Sequence, residues 1–147
     1  MFQTVLVPTD GSAGAEAAVD LATDVARTYG AALHTVYVVD LDGMPTDEDS
    51  DTWLIHRALE AEGRTLTAAV GERAERAGLE QVEAAVLTGT PYRAILDYVE
   101  EHGVDLVVMG THGRRGLDRY LLGSVTERVV RTSPVPVLTV RPPVRTD

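Results

Sequence analysis

Apolar residues recur along the chain in two alternating patterns, short continuous runs and longer segments with helical spacing. The short runs, rich in β-branched residues, cover residues 4–7, 33–39, 82–87, 104–109 and 135–140. The first, fourth and fifth runs are almost uninterrupted, which is typical of strands covered on both faces of a parallel sheet. The pattern therefore predicts five β-strands.

The segments between these runs predict four helices. In the first, apolar residues from Ala15 to Tyr29 fall on one stripe. The second is expected over residues 52–77, and the fourth is short and stops before Ser133. The helix ends are marked by residues that favour them: Gly30, Gly78 and Gly103 after the first three helices, Thr90-Pro91 before the third and Gly123-Ser124 before the fourth.

Alternation of strands and helices is typical of βαβ units, whose strands are parallel and whose crossovers are right-handed. The length of 147 residues suits one domain of ordinary size. We therefore expect a single α/β domain over residues 1–147, doubly wound around a five-stranded parallel sheet. A strand order of 3-2-1-4-5 would bring the ends of the first and fourth strands together.

The composition excludes several kinds of chemistry. The chain has no cysteine, and all 13 of its basic residues are arginine, which excludes disulfides, thiolate metal sites, P-loop lysines and lysine bases. The four histidines are scattered without an H-x-x-x-H pair, so no metal site held by protein side chains is expected. No carboxylate pair or Ser–His spacing singles out a catalytic base, and no catalytic residue is assigned.

Charge and hydropathy limit the partners. A formal net charge of −10 argues against binding to nucleic acid or to an acidic membrane. No apolar run approaches the roughly 18 residues of a membrane span. We expect a soluble, cytoplasmic protein.

One glycine pattern follows the fourth run. Gly110 and Gly113 stand three residues apart, and Gly123-Ser124 opens the fourth helix after nine intervening residues. Glycines allow a tight turn that directs backbone N–H groups toward a ligand, and a helix N-terminus attracts phosphate. Residues 110–131 also hold five arginines against two acids, whereas the rest of the chain is strongly acidic. The pattern predicts a phosphate-binding site.

Asp10 stands at the end of the first strand, in the segment Pro8-Thr9-Asp10-Gly11-Ser12. Asp10 or Ser12 is suited to cap the following helix. Ligands bind outside the carboxyl ends of strands in open α/β sheets, and in the order 3-2-1-4-5 Asp10 faces the Gly110–Gly113 turn. A carboxylate there suits ribose hydroxyls or a phosphate-bound cation.

Residues 40–51 form the one long irregular stretch predicted between elements, with six acids in twelve residues. A solvated linker is the simpler interpretation, and a flap over a ligand site is the alternative.

These motifs together resemble the universal stress protein family, in its ATP-binding branch. That branch carries G-x2-G-x9-G-[ST], which Gly110, Gly113, Gly123 and Ser124 match at every fixed position. The resemblance extends over almost the whole chain, from P-x-D-x-S at Pro8 to the last strand after Ser133-Pro134.

The resemblance implies a Rossmann-like fold of strand order 3-2-1-4-5 and a stress-response protein that binds ATP, with Mg²⁺ or Mn²⁺ held through the phosphates. It also implies a homodimer paired through the last strand, which begins at Val135 and ends at Val140. By the same resemblance Asp10 contacts the ribose, and His112 lies against the phosphates. The remaining implied contacts are Pro8, Thr9 and Val38 at the adenine, Met109 with the Gly110–Gly113 turn along the ribose and α-phosphate, and Gly123, Ser124, Val125 and Thr126 at the β- and γ-phosphates.

The sequence is consistent with several functions. The first is a regulatory module whose state follows nucleotide occupancy. The alternatives are a weak ATP hydrolase or self-phosphorylating enzyme, and a module that binds AMP or a cyclic nucleotide. A nicotinamide oxidoreductase is disfavoured, because the turn after the first strand lacks G-x-G-x-x-G.

Overall fold

A computed structural model of the chain describes residues 1–40, 50–112 and 122–142. Strands and helices alternate through these ranges. In chain order they are β1 (Thr4–Pro8), α1 (Ala13–Tyr29), β2 (Ala32–Asp40), α2 (Ser50–Arg76), β3 (Val82–Gly89), α3 (Pro91–His102), β4 (Leu106–Gly110), α4 (Ser124–Thr132) and β5 (Val137–Val140). The predicted strands and helices are confirmed, with bounds that agree to within about two residues.

The strands form one parallel sheet in the order β3-β2-β1-β4-β5. Val5 of β1 lies opposite Leu33 of β2 on one side and Leu106 of β4 on the other. β2 and β3 therefore extend the sheet on one side of β1, and β4 and β5 extend it on the other side. This confirms the predicted doubly wound α/β fold and its strand order.

Helices cover both faces of the sheet. Val5 and Val7 of β1 pack in a core with Val19 of α1 and Val70 of α2. Leu6 points to the opposite face, into a core shared with residues of α3 and α4. Successive strand residues point to opposite faces, so β1 is buried on both, as predicted.

The edge strand β5 is less buried than predicted. Every residue of β5 is exposed or half-buried, and Leu138 is 38% exposed, because only β4 flanks this strand. Val140 and Val137 pack against the cores on opposite faces of the sheet, so the fifth strand is covered on both faces as expected but is only partly buried in the single chain. β5 also begins at Val137 rather than Val135, since Pro136 has no N–H to donate to a ladder.

The ends of the helices follow the capping residues. The Ser12 hydroxyl accepts the N–H of Ala15 at 3.2 Å and caps α1. Gly30 and Gly103 end α1 and α3 in the left-handed region, with φ of 66° and 62°, where glycine is favoured. These assignments match the predictions.

Within the described ranges, no helix is long and apolar enough to cross a membrane. The predicted flap over residues 40–51 falls mostly on residues 41–49, which lie outside those ranges.

Candidate functional site

The carboxyl ends of β1 and β4 lie side by side at the centre of the sheet. Leu6 pairs with Val107, and continuing that register by four residues brings Asp10 level with Thr111. From here the chain enters α1 on one face and, after β4, α4 on the other. This reversal of winding is the position at which open α/β sheets bind ligands.

The turn from β1 into α1 holds the carboxylate of Asp10 in place. Asp10 Oδ1 accepts the N–H of Ser12 at 2.9 Å, and Gly11 between them has a φ of 79°. Thr9 is buried, and its N–H donates to the carbonyl of Val36 in β2 at 2.9 Å. The turn is therefore tied to the sheet and places a carboxylate at the end of β1.

Two glycine backbones meet where α1 passes the end of β4. A Cβ on Gly110 would lie 2.7 Å from the carbonyl carbon of Gly14 and 2.9 Å from its oxygen. A Cβ on Gly14 would lie 2.9 Å from the carbonyl oxygen of His112. Gly110 is therefore required by the packing of α1 on β4, a role that the sequence pattern did not reveal.

The N-terminus of α4 opens toward the same edge. Gly123 precedes the helix, and its N–H donates to the carbonyl of Thr111 at 2.7 Å. Among the described residues, no side chain caps this end. The first intrahelical bond runs from Glu127 N–H to the Gly123 carbonyl, so the N–H groups of Ser124 to Thr126 precede the helical ladder. Such an end attracts anions.

The side chain of Thr126 joins α4 to β4. Thr126 is buried, and its hydroxyl donates to the carbonyl of Gly110 at 2.8 Å. The side chain of Thr126 therefore has a structural role, and only its backbone N–H, at the N-terminus of α4, is left to bind a ligand. Ser124 is exposed beside it.

Thr111 and His112 continue from β4 past the glycine contact. Thr111 is buried, its N–H donates to the carbonyl of Val140 at 3.0 Å, and its hydroxyl lies 3.1 Å from His112 Nδ1. His112 is half-buried. The side chains of Val38 and Met109 belong to the core under α3 and α4, so any polar contact from Met109 to a ligand would use its backbone.

A comparison with known families fits this geometry. The sequence profile of the universal stress protein family matches residues 1–141. The chain belongs to the universal stress protein family. Universal stress protein MJ0531 of Methanocaldococcus jannaschii is 36% identical over 147 residues, which cover 97% of this chain and 84% of that protein.

Two solved structures are similar in fold and in sequence. The universal stress protein UspA from Lactobacillus plantarum has a TM-score of 0.89 and 28% identity, covering 95% of this chain and 98% of that one. A universal stress protein in complex with cAMP has a TM-score of 0.73 and 29% identity, covering 97% of this chain and 99% of that one.

In this universal stress protein, part of the predicted site lies outside the described residues. Gly113 and three of the five arginines counted near the glycine pattern lie in residues 113–121. Of the other two, Arg131 forms an ion pair with Glu127, whereas Arg128 contacts Tyr92 of α3. The part of the chain that is described holds no group of three His, Cys, Asp or Glu side chains suited to a metal ion.

Proposed function

We propose that this universal stress protein is a cytoplasmic regulatory module that binds an adenine nucleotide, ATP with Mg²⁺ or Mn²⁺, where β1 and β4 end. The observation that carries the proposal is the uncapped start of α4 after Gly123, beside a turn that presents Asp10. The relative solved with cAMP supports an adenine nucleotide as the ligand class.

Each part of the nucleotide has a matching group at this edge. The N–H groups of Ser124, Val125 and Thr126 suit the β- and γ-phosphates, because they lie at the positive end of a helix. The Asp10 carboxylate suits the ribose hydroxyls. Pro8 with Thr9 and Val38 would border the adenine, the backbone from Met109 to Gly113 would follow the ribose and α-phosphate, and His112 would lie against the phosphates.

The metal ion would be held through the phosphates rather than by a protein cage. Mg²⁺ commonly binds in this way, with few protein ligands beside the nucleotide. Asp10 at the end of β1 is a carboxylate placed to contribute. The ion would neutralise phosphate charge at the α4 N-terminus.

A cyclic nucleotide or AMP is the second candidate ligand, because the relative in complex with cAMP has 29% identity to this chain. The adenosine contacts would be shared, whereas the α4 N-terminus would be used fully only by a nucleotide with more phosphates. Comparing the affinity for adenosine with the affinity for ATP therefore distinguishes the contribution of the adenosine contacts from that of the α4 N-terminus.

Three variants test the proposal by isothermal titration. We expect Gly123→Val to abolish binding of ATP by filling the space at the helix start, and Asp10→Ala to weaken adenosine and ATP alike. Ser124→Ala should weaken ATP and spare adenosine. Asp24→Ala is the control, since Asp24 forms an exposed ion pair with Arg27 on α1. Unchanged ATP affinity in folded Gly123→Val would contradict the site.

We also propose that the protein is a homodimer through β5. The edge of the sheet there exposes Leu138, and the neighbouring helix α4 exposes Val130. An apolar edge strand is a natural surface for pairing with a second copy. Sedimentation should give a dimer for the natural chain and a monomer for Leu138→Asp, and a monomeric natural chain would refute the proposal.

A further inference from the structure

Two arginines from neighbouring helices meet at one tyrosine on the α3–α4 surface. The Arg128 guanidinium of α4 lies 4.8 Å from the centroid of the Tyr92 ring. The Arg93 guanidinium lies 5.8 Å from that centroid, and its Nη2 donates to the Tyr92 hydroxyl at 3.3 Å. The hydrogen bond from Arg93, with the charges of both arginines, lowers the pKa of Tyr92 below its usual value of 10.0. The two cations therefore lie against one tyrosine side chain.

Neither arginine of the pair has a carboxylate partner among the described residues. Within residues 1–40, 50–112 and 122–142, no carboxylate lies within ion-pair distance of Arg93 or Arg128. Asp97 acts on Arg93 only from a greater distance. By contrast Arg131, on the same helix as Arg128, is paired with Glu127. In a chain of net charge −10, two adjacent guanidinium groups that no described carboxylate pairs with form a local surface for an anion.

The position of the arginine pair relates it to the start of α4. Arg128 follows Ser124 by four residues, so the two lie on one face of the helix a single turn apart. Long helical side chains lean toward the N-terminus of their helix, and the Arg128 guanidinium lies against Tyr92 at the start of α3. Tyr92 and Arg93 are in the first turn of α3, which also begins at the carboxyl edge of the sheet. The cations therefore lie beside the helix end that meets the phosphates in the proposed function.

We propose that Arg93 and Arg128 form a cationic arm that makes this site prefer nucleotides with β- and γ-phosphates over monophosphates. The inference rests on the proposed function and identifies the nucleotide class that the site selects. Guanidinium groups recognise phosphate oxygens through paired N–H donors. Tyr92 positions the arm, because its ring and hydroxyl hold both guanidinium groups in one place.

The test compares affinities for ATP, ADP, AMP and adenosine in the double variant Arg93→Gln/Arg128→Gln, stripped of nucleotide before titration with magnesium. Exposed charge pairs contribute modestly, so ATP affinity should fall by about threefold to tenfold. Affinity for AMP and adenosine should change by less than about twofold. The preference of the natural chain for ATP over AMP should also weaken as salt is added.

Two further variants serve as controls. Arg131→Gln removes a cation from the same helix, but one already paired with Glu127, and should leave the ratio of ATP to AMP affinity unchanged. Arg93→Lys/Arg128→Lys keeps both charges but removes the paired N–H donors, so its ATP preference should fall between those of the natural chain and the glutamine double variant.

The outcomes separate the two proposals. If the natural chain binds ATP and the double variant keeps the same ratio of ATP to AMP affinity, the cationic arm is refuted while the nucleotide site stands. A natural chain that binds none of the four ligands refutes both.

Discussion

Replacing Gly110 by alanine should destabilise the fold before any ligand is considered. The new Cβ would lie 2.7 Å from the Gly14 carbonyl carbon, 2.9 Å from its oxygen and 3.1 Å from the Ala15 nitrogen. Non-bonded carbon atoms normally approach to about 3.5–4.0 Å, so α1 and β4 would have to separate by roughly 1 Å. All three neighbours are backbone atoms, and none can move aside by changing a rotamer.

The cost of this overpacking should be about 1–3 kcal/mol of unfolding free energy. For a domain of this size each 1 kcal/mol lowers the melting temperature by about 2–4 °C. Urea unfolding of the nucleotide-free protein, at one fixed protein concentration, measures the change. Gly71→Ala is the matched control, because a Cβ there lies 3.7 Å from Val82 Cγ1 in ordinary contact, and alanine inside a helix should stabilise by about 0.5–1 kcal/mol.

If Gly110→Ala unfolds at the same urea concentration as the natural chain, the close contact of α1 and β4 is refuted. If it is destabilised as expected, loss of nucleotide binding in Gly110 variants reports on the fold as well as on the ligand. Variants of Ser124 and Asp10 are then the better probes of nucleotide contacts.

The other predictions concern groups away from the glycine contact. His34 is buried with Nδ1 2.6 Å from the Tyr98 hydroxyl, and burial lowers its pKa below the usual 6.5. The unfolded chain therefore binds a proton at this residue more readily than the folded chain does. The contribution of neutral His34 to stability is present above pH 6.5 and is lost as the pH falls. The natural chain should lose more unfolding free energy than His34→Gln between about pH 7.5 and about pH 5.5, and equal losses would contradict this account. Ser12→Ala removes the cap of α1 and should cost about 1 kcal/mol in thermal unfolding, whereas a cost near zero would show that the cap is dispensable. The Asp105 carboxylate accepts the N–H groups of Gln3 and Thr4, so Asp105→Ala should cost about 1–2 kcal/mol, and a variant that unfolds like the natural chain would contradict the role of these bonds.

The sequence predicted the strands and helices well, because the spacing of apolar residues and the helix-capping residues are both local signals. Gly30, Gly103 and Ser12 each end or begin a helix as expected from the residue type alone. The edge position of β5 was predicted by the strand order 3-2-1-4-5, whereas its apolar run alone indicated fuller burial than the single chain shows. Leu138 is exposed there in the single chain.

Only the parts of the site that short sequence motifs carry could be predicted from the sequence. Gly123, Ser124 and Asp10 lie at the carboxyl edge as the spacing and strand order predicted. The contact of Gly14 with Gly110 joins residues almost a hundred positions apart, and no periodicity signals it. The meeting of Arg93 with Arg128 at Tyr92 likewise depends on how α3 packs on α4, and no local sequence pattern signals that packing.

Binding of adenine nucleotides is the central claim, and isothermal titration of the nucleotide-stripped protein tests it most directly. ATP, ADP, AMP and cyclic AMP are titrated in turn with and without magnesium, and nucleotide released during stripping is identified by mass. The account predicts saturable binding at one site per chain, with ATP bound more tightly than AMP. The absence of binding to all four nucleotides would contradict it and would leave the glycines at the end of β4 with a purely structural role.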